Sequence, residues 1–420
     1  MAGRCCLVLF SLFLAVGFSD AQEKPLLLRA ARIVSGPGEV FQDAVLWIQD
    51  GKIRGVGPNV EVEPGTPEMD LGARTVIPGL IDCCSSLFLL PGEGKAVGAP
   101  DWDVYDALDP FEEGYREVLS QGVTTVYLSP GGRGRVRGRG LVLKLKREPA
   151  QRLLRREAAL ELALGGGDGW RSSSLERLND YMALRDLFLG AQEYLRQFEY
   201  YEEDQTTYRR KRQEQAKLPE EQREKLVPPS RPRLQPAQEV LRRALQGTLP
   251  VRIEAHRPDD LWNALRLIEE FRLQAVLEGG TEAYRVASEI ACRDLPLILS
   301  PTPPAGEPRL EFLHFRADQA ALLHAAGVRL AFGTCSSEGR ASRFLRWQAA
   351  EAVGHGLDRE VALGAITWTA ADLLGVADRV GRLAPGKDAD LVVLNGDPLD
   401  VRAPVEKVMI EGQWVFERGK

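Results

Sequence analysis

Short apolar runs separated by turn residues organise this chain from end to end. From Leu26 to about Thr75, stretches such as "RAARIVSG" and "DAVLWIQDGKIRGVG" alternate apolar and polar positions and break at Gly-Pro and Asp-Gly. A period of two bounded by turn signals predicts short antiparallel strands. The C-terminal segments "DADLVVLNGDPLD" and "EKVMIEGQWVFERGK" repeat the pattern. Both ends are therefore expected to build one small composite β domain, a β-sandwich from residues 22–75 and 385–420. Between them apolar runs alternate with amphipathic stretches. The strand candidates are "VIPGLID", "GVTTVYL" (122–128), "LVLKLK" (141–146), "ALELAL" (159–164), "PVRIEAH" (250–256), "QAVLEGG" (274–280), "LPLILSP" (295–301) and "VRLAFGT" (328–334). The stretches "DDLWNALRLIEEF" and "TEAYRVASEIA" place apolar residues at helical spacing. Eight strands with intervening helices predict an α/β fold, a closed (β/α)8 barrel of the TIM type over residues 76–384.

The rhythm breaks at 175–245. A long helical pattern, "LERLNDYMALRDLFLGAQEYLRQFEYYEED", runs into the charged stretch "YRRKRQEQAKLPEEQREKL" and then "VPPSRPRLQP". This predicts a solvated helical insertion between the fourth and fifth barrel strands, with Tyr194, Phe198 and Tyr201 packing on the barrel. A docking arm for a partner is the sharper alternative.

The N-terminus changes the picture of compartment. Arg4, the apolar "CCLVLFSLFLAVGF" and Ser19-Asp20-Ala21 have the charged, apolar and small-x-small order of a secretory signal peptide, residues 1–21, too short to span a bilayer. The protein is expected to be exported, to the periplasm or outside the cell, with no membrane span. Removal of the leader leaves Cys83, Cys84, Cys292 and Cys335, which an oxidising compartment permits to pair. Composition adds little: 44% apolar and 27% charged residues with a net charge of −6 are ordinary globular values. The acidic balance argues against a nucleic-acid partner. A small molecule, another protein or a second copy of the chain remains open as a partner.

Several segments taken together resemble the amidohydrolase superfamily. They are "VIPGLID" after a small β domain, "GVTTV", "ITWTAADLLGVADRVGRLAPGKDADLVVLNGDPLD" and the terminal "VMIEGQWVF". "GAQEYLRQFEYYE" and "IEAHRPDDLWNALRLIEEFRLQAVLEGGTEAYRVASEIA" are similar to its exported imidazolonepropionase-like group. The resemblance implies a hydrolase of carbon–nitrogen, non-peptide bonds that uses one or two divalent metals at the C-terminal mouth of the barrel. It also implies the ligand positions: a His-x-His ending strand one, often a lysine on strand four, histidines after strands five and six, and an aspartate on strand eight.

Carried over by position, those ligands are mostly replaced. The histidine pair falls on Cys84 and Ser86, and strand four offers no lysine, Lys144 and Lys146 lying nearer strand three. His256 stands after strand five, Gly279 or Gly280 after strand six, and Cys335 where the aspartate should follow Gly333-Thr334. The favoured expectation is a catalytically degenerate member, a pseudoenzyme or binding scaffold, with no cofactor. The alternative is an active metal-dependent amidohydrolase with an unusual Cys/His site, for which zinc or another divalent metal would be the cofactor. On alternating sides of the strand, Cys84 and Ser86 face inward while Cys83 and Ser85 face away. Cys84 and Cys335 then lie on neighbouring strand ends, and three readings stay open for them. They form a disulfide across the mouth, they join His256 in a soft-metal site, or they are small buried hydrophobic residues.

Weaker features complete the reading. The loop "GGRGRVRGRG" carries Arg133, Arg135, Arg137 and Arg139 between strands two and three, an anion-gripping loop or a solvated hairpin. His314, His324 and His355 lack partner spacing and read as surface or satisfied core residues. Cys83 and Cys292 read as buried small residues. A metal-free reaction through Ser86, His256 and Glu254 or Glu278 has no supporting spacing.

Overall fold

The computed structural model describes residues 25–419 apart from 63, 90–97, 133, 166–172, 301–311 and 337. The expected signal peptide and Arg133 lie outside the described residues. Two sheets carry the architecture. The first joins strands from both ends of the chain: β1 (Leu26–Gly36), β2 (Glu39–Gln49), β3 (Lys52–Gly57), β4 (Glu68–Asp70), β5 (Thr75–Pro78) and, far along the chain, β14 (Leu391–Leu394), β15 (Val405–Ile410) and β16 (Gln413–Glu417). Its order is β16-β15-β14-β5-β1-β2-β3, with β4 beside β1. The second is the barrel: β6 (Leu80–Ser85), β7 (Val123–Leu128), β8 (Val136–Lys144), β9 (Leu153–Ala163), β10 (Val251–Ala255), β11 (Ala275–Gly279), β12 (Leu297–Leu299) and β13 (Leu330–Phe332), paired in sequence order.

The expected barrel and terminal sheet are thus both present, and the run "VIPGLID" divides between them at Gly79. Gly79 N donates to Asp390 O at 3.0 Å, and a Cβ there would strike the Thr124 side chain. Only glycine lets the chain pass from one sheet to the other at this contact.

The barrel departs from an all-parallel one at β8, which is antiparallel to both β7 and β9. Among the described residues the connections 129–135 and 145–152 hold no helix beyond the 3-10 turn Pro149–Gln151. A parallel neighbour needs a crossover of about a dozen residues or more, so connections this short force a meander. From β9 onward the strands run parallel, with helices such as Pro258–Phe271 between them.

Closure comes from the ends of β6 and β13. Thr334 N and Oγ1 donate to the Asp82 carboxylate at 3.0 and 2.7 Å, and Cys335 N donates to Cys84 O at 2.8 Å. A Cβ at Gly333 would lie 2.7 Å from Cys84 Cβ, so that approach too depends on glycine.

A buried ion cluster ties the two sheets together. Lys144, at the end of β8, reaches Asp388 at 2.6 Å, Asp390 at 2.9 Å and Glu411 at 3.0 Å. Lys146 pairs with Glu411 at 2.5 Å. Both lysines therefore serve the junction between the sheets and stand away from the mouth.

The insertion is the 43-residue helix Ser174–Ala216, followed by an extended return and the helix Pro236–Leu245. A Ser173–Glu176 capping box starts it, satisfying two otherwise orphaned backbone donors. Its first half is docked: Phe188 stacks on Phe271 with centroids 5.2 Å apart, and Tyr194 donates to Glu239 at 2.5 Å. Phe198 packs on Tyr194 at 5.0 Å, while Tyr201 is half-buried. The charged run 209–214 is exposed. Among the described residues no helix is long and apolar enough to cross a membrane.

Candidate functional site at the barrel mouth

Three consecutive barrel strands each bury a charged side chain beside apolar neighbours: Glu161 on β9, Arg252 on β10 and Glu278 on β11. All three are buried, at 0%, 2% and 3% exposure. Buried charges persist when paired, and these are. Arg252 donates to Glu278 Oε2 from Nε at 3.0 Å and Nη2 at 2.5 Å, lies 3.3 Å from Glu161 Oε1, and stacks over the Tyr127 ring at 3.8 Å. Tyr127 donates to Glu161 Oε1 at 2.5 Å.

Charge is shared unevenly in this group. Burial pushes the Glu161 carboxyl up to about 7 against the pull of Arg252. Its Oε2 has no partner among the described protein atoms. Burial would lower the Arg252 guanidinium, but Glu278 and Glu161 outweigh it and hold it fully charged.

Above this layer lie the two cysteines. Cys84 Sγ donates to Glu278 Oε1 at 3.0 Å, and Cys335 Sγ is 3.9 Å from the same oxygen. The donor atoms of Cys84, Glu278 and Cys335 all lie within 4.8 Å of one another. Both sulfurs are free thiols. The hydrogen bond with Cys335 and then burial raise the Cys84 thiol well above its usual range. That same hydrogen bond lowers the Cys335 thiol, but burial together with the Glu278 and Asp82 carboxylates outweighs it and leaves the thiol raised.

The backbone fixes this pair. Asp82 Oδ1 accepts from both Cys84 N and Thr334 N at 3.0 Å, which clamps the two strand ends to one carboxylate. Burial raises the Asp82 carboxyl against four hydrogen bonds that lower it. Cys335 adopts a left-handed φ of 45°, which costs a non-glycine residue about 1 kcal/mol. A constrained backbone here aims the thiol.

The other expected site residues lie apart from this cluster. Ser86 Oγ donates to Ser336 O at 2.8 Å. His256 pairs Nδ1 with Thr281 Oγ1 at 2.8 Å and Nε2 with Glu254 Oε1 at 3.4 Å, and is not a member of the Cys84–Glu278–Cys335 group. A Cβ at Gly279 would lie 2.6 Å from the His256 ring, so that ring occupies the space a side chain after strand six would need.

Two expectations need correction. Cys83 does not face away, because register shifts between Asp82 and Ser85 break the alternation and pack Cys83 into the same interior cluster as Cys84 and Tyr127. Cys292 is exposed rather than buried, because it caps the short surface helix Ala287–Ala291 and its thiol donates to Glu289 O at 3.3 Å.

The described arginines of the 133–139 stretch are engaged by carboxylates. Arg135 pairs with Asp180 at 2.5 Å, Arg137 with Glu254, and Arg139 with Glu157. Burial opposes it, but Arg137 and His256 together hold Glu254 well below the usual carboxylate range.

The comparisons with known proteins agree with this architecture. Residues 224–416 match the amidohydrolase family. The crystal structure of an amidohydrolase from Thermotoga maritima MSB8 superposes with a TM-score of 0.80 and 27% identity, over 94% of this chain and 100% of that one. In sequence over residues 224–416 and in fold over nearly its whole length, the chain is similar to the amidohydrolase superfamily. Amidohydrolase tasK of Hapsidospora irregularis is 40% identical over 70 residues, which are 17% of this chain and 7% of that protein. A prolidase solved with N-methylphosphonate-L-proline shares the fold, with a TM-score of 0.56 and 16% identity over 94% of this chain and 100% of that one.

Amidohydrolases usually use a divalent metal. The donors grouped here, two sulfurs and one carboxylate oxygen, fit a single thiophilic cation rather than a nitrogen- and oxygen-ligated pair. Glu278 Oε2 is held by Arg252 while Oε1 faces the thiols, the division of labour expected of an outer partner that orients a ligating carboxylate.

Proposed function

We propose that this amidohydrolase-like protein does not hydrolyse carbon–nitrogen bonds and uses its barrel mouth as a binding site. One observation carries the reading: the position after Gly333-Thr334, next to Glu278, presents the thiol of Cys335 where metal-assisted hydrolysis needs a carboxylate to move the proton. Among the described residues, the carboxylates nearest Cys335 and His256 already have partners. Asp82 clamps the strand ends, Glu278 is paired by Arg252, and Glu254 is paired by Arg137. Beside the mouth, a depression of about 300 Å³ is lined by Arg257, Pro258, Asp259, Glu282, Arg285 and His314. It adjoins His256, whose carbonyl accepts from Glu282 N at 2.9 Å. A mouth with polar rim groups and, among the described residues, no unpartnered carboxylate beside Cys335 to shuttle a proton suits ligand capture. The exported, leader-less form is the one expected to act.

The test is turnover of a panel of amides, cyclic imides and N-acyl amino acids by the reduced, zinc-supplemented protein. No turnover above the buffer rate is expected. Turnover that disappears in both His256→Ala and Cys335→Ser would overturn the reading in favour of an active hydrolase with a rebuilt site.

A further inference from the structure

We propose that Cys84, Glu278 and Cys335 hold one thiophilic divalent cation, of which zinc is the representative. The inference rests on the reading of the mouth as a binding site rather than a hydrolytic one, and names what the site takes. Three donors from three separate strand ends converge, all within 4.8 Å of one another. Chance proximity would not also fix their backbones, as here: Cys335 N donates to Cys84 O at 2.8 Å, Thr334 Oγ1 donates to the same oxygen at 3.2 Å, and Asp82 accepts from Cys84 N at 3.0 Å. The ligand carboxylate is held in turn by a buried guanidinium on its other oxygen.

The chemistry of the set selects the ion. Sulfur ligands favour zinc and other soft cations over magnesium or calcium, which prefer oxygen alone. Three protein ligands leave one position of a tetrahedral zinc for a further group. Charge also balances: two thiolates and one carboxylate are offset by one divalent ion and Arg252. Without that balance, a site this deep would keep its thiols protonated and donating to Glu278. When bound, zinc would supply a Lewis-acidic centre that grips an anionic or thiol-bearing ligand at the mouth.

The full mature chain, reduced and kept free of oxygen, is titrated with Co²⁺ and then Zn²⁺. Sulfur-to-cobalt charge-transfer absorption reports ligation, and elemental mass spectrometry after gel filtration reports stoichiometry. The expected result is one ion per chain with the thiolate absorption. Cys84→Ser and Cys335→Ser should lose that absorption, Glu278→Gln should weaken binding by about 10- to 100-fold, and Cys292→Ser should match the unsubstituted protein. No uptake by the folded, reduced protein would overturn the proposal. So would uptake indifferent to all three substitutions, or two thiols of the isolated protein found locked in a disulfide between Cys84 and Cys335. The cobalt spectrum of the unsubstituted chain needs no variant, so misfolding of a variant does not spare the proposal. Hydrolysis assayed on the same samples separates the two readings. Ion uptake with turnover overturns the non-hydrolytic reading and keeps the site; neither uptake nor turnover overturns the site alone.

Discussion

Replacing Glu161 with glutamine should flatten the pH dependence of the barrel's stability. Glu161 is fully buried between Tyr127 and Arg252, and burial moves its carboxyl from an ordinary 4.5 to about 7 in the folded protein. A raised folded value means that the folded state holds the proton more tightly than the unfolded chain. The resulting stability is present in full below about 4.5 and is lost as pH rises through about 7. At about 1.4 kcal/mol per pH unit, the full contribution is roughly 3 kcal/mol, of which roughly 2–3 kcal/mol should be lost between pH 5 and 8. Glu161→Gln keeps the size and a group that can accept from Tyr127 but cannot titrate. The assay is urea unfolding of both proteins at half-unit steps from pH 5 to 8. Other raised carboxyls, Asp82 and Asp390, are common to both proteins and cancel in the difference. The variant should gain on the wild type by roughly 2–3 kcal/mol as pH rises across this range. Parallel profiles would refute the reasoning, because Glu161 would then be charged throughout, held by Arg252.

Two further outcomes test the frame that holds the mouth. Lys144→Met leaves Asp388, Asp390 and Glu411 around a neutral side chain at the junction of the sheets. It should destabilise by about 3–5 kcal/mol in thermal or urea unfolding, with Lys146→Met costing far less. Phe188→Ala removes a fully buried ring from the contact of the long helix with Phe271. It should cost about 3–5 kcal/mol, and limited proteolysis should then cleave within 174–216 faster than in the wild type.

The sequence made the strands legible because each is an apolar run bounded by turn residues, and all eight barrel candidates are strands. Direction was not legible in the same way. "LVLKLK" reads equally well as a parallel or an antiparallel strand, and the reversal of β8 shows only in the shortness of its two connections. The alternation rule misplaced Cys83 because a local register shift puts neighbouring residues on the same side. The approach of Cys84 to Cys335 was legible once the strand ends were matched to the family's ligand positions. Their carboxylate partner was not found, because Glu278 reads as an isolated charge until Glu161 and Arg252 are set beside it. A charged residue set among the apolar positions of each of three successive strands was the available signal, since such charges survive burial only in company. His256 shows the reverse failure: position in the chain suggested a ligand, while its hydrogen bonds commit it to Thr281 and Glu254.

What surrounds a cation at the mouth decides whether Cys84, Glu278 and Cys335 are its ligands. X-ray absorption at the zinc edge on the zinc-loaded, reduced protein reads that shell directly. It should show two sulfur neighbours at about 2.3 Å with the remaining ligands oxygen, as Cys84, Cys335 and Glu278 require. A shell of nitrogen and oxygen without sulfur would contradict the account and return His256 to the metal.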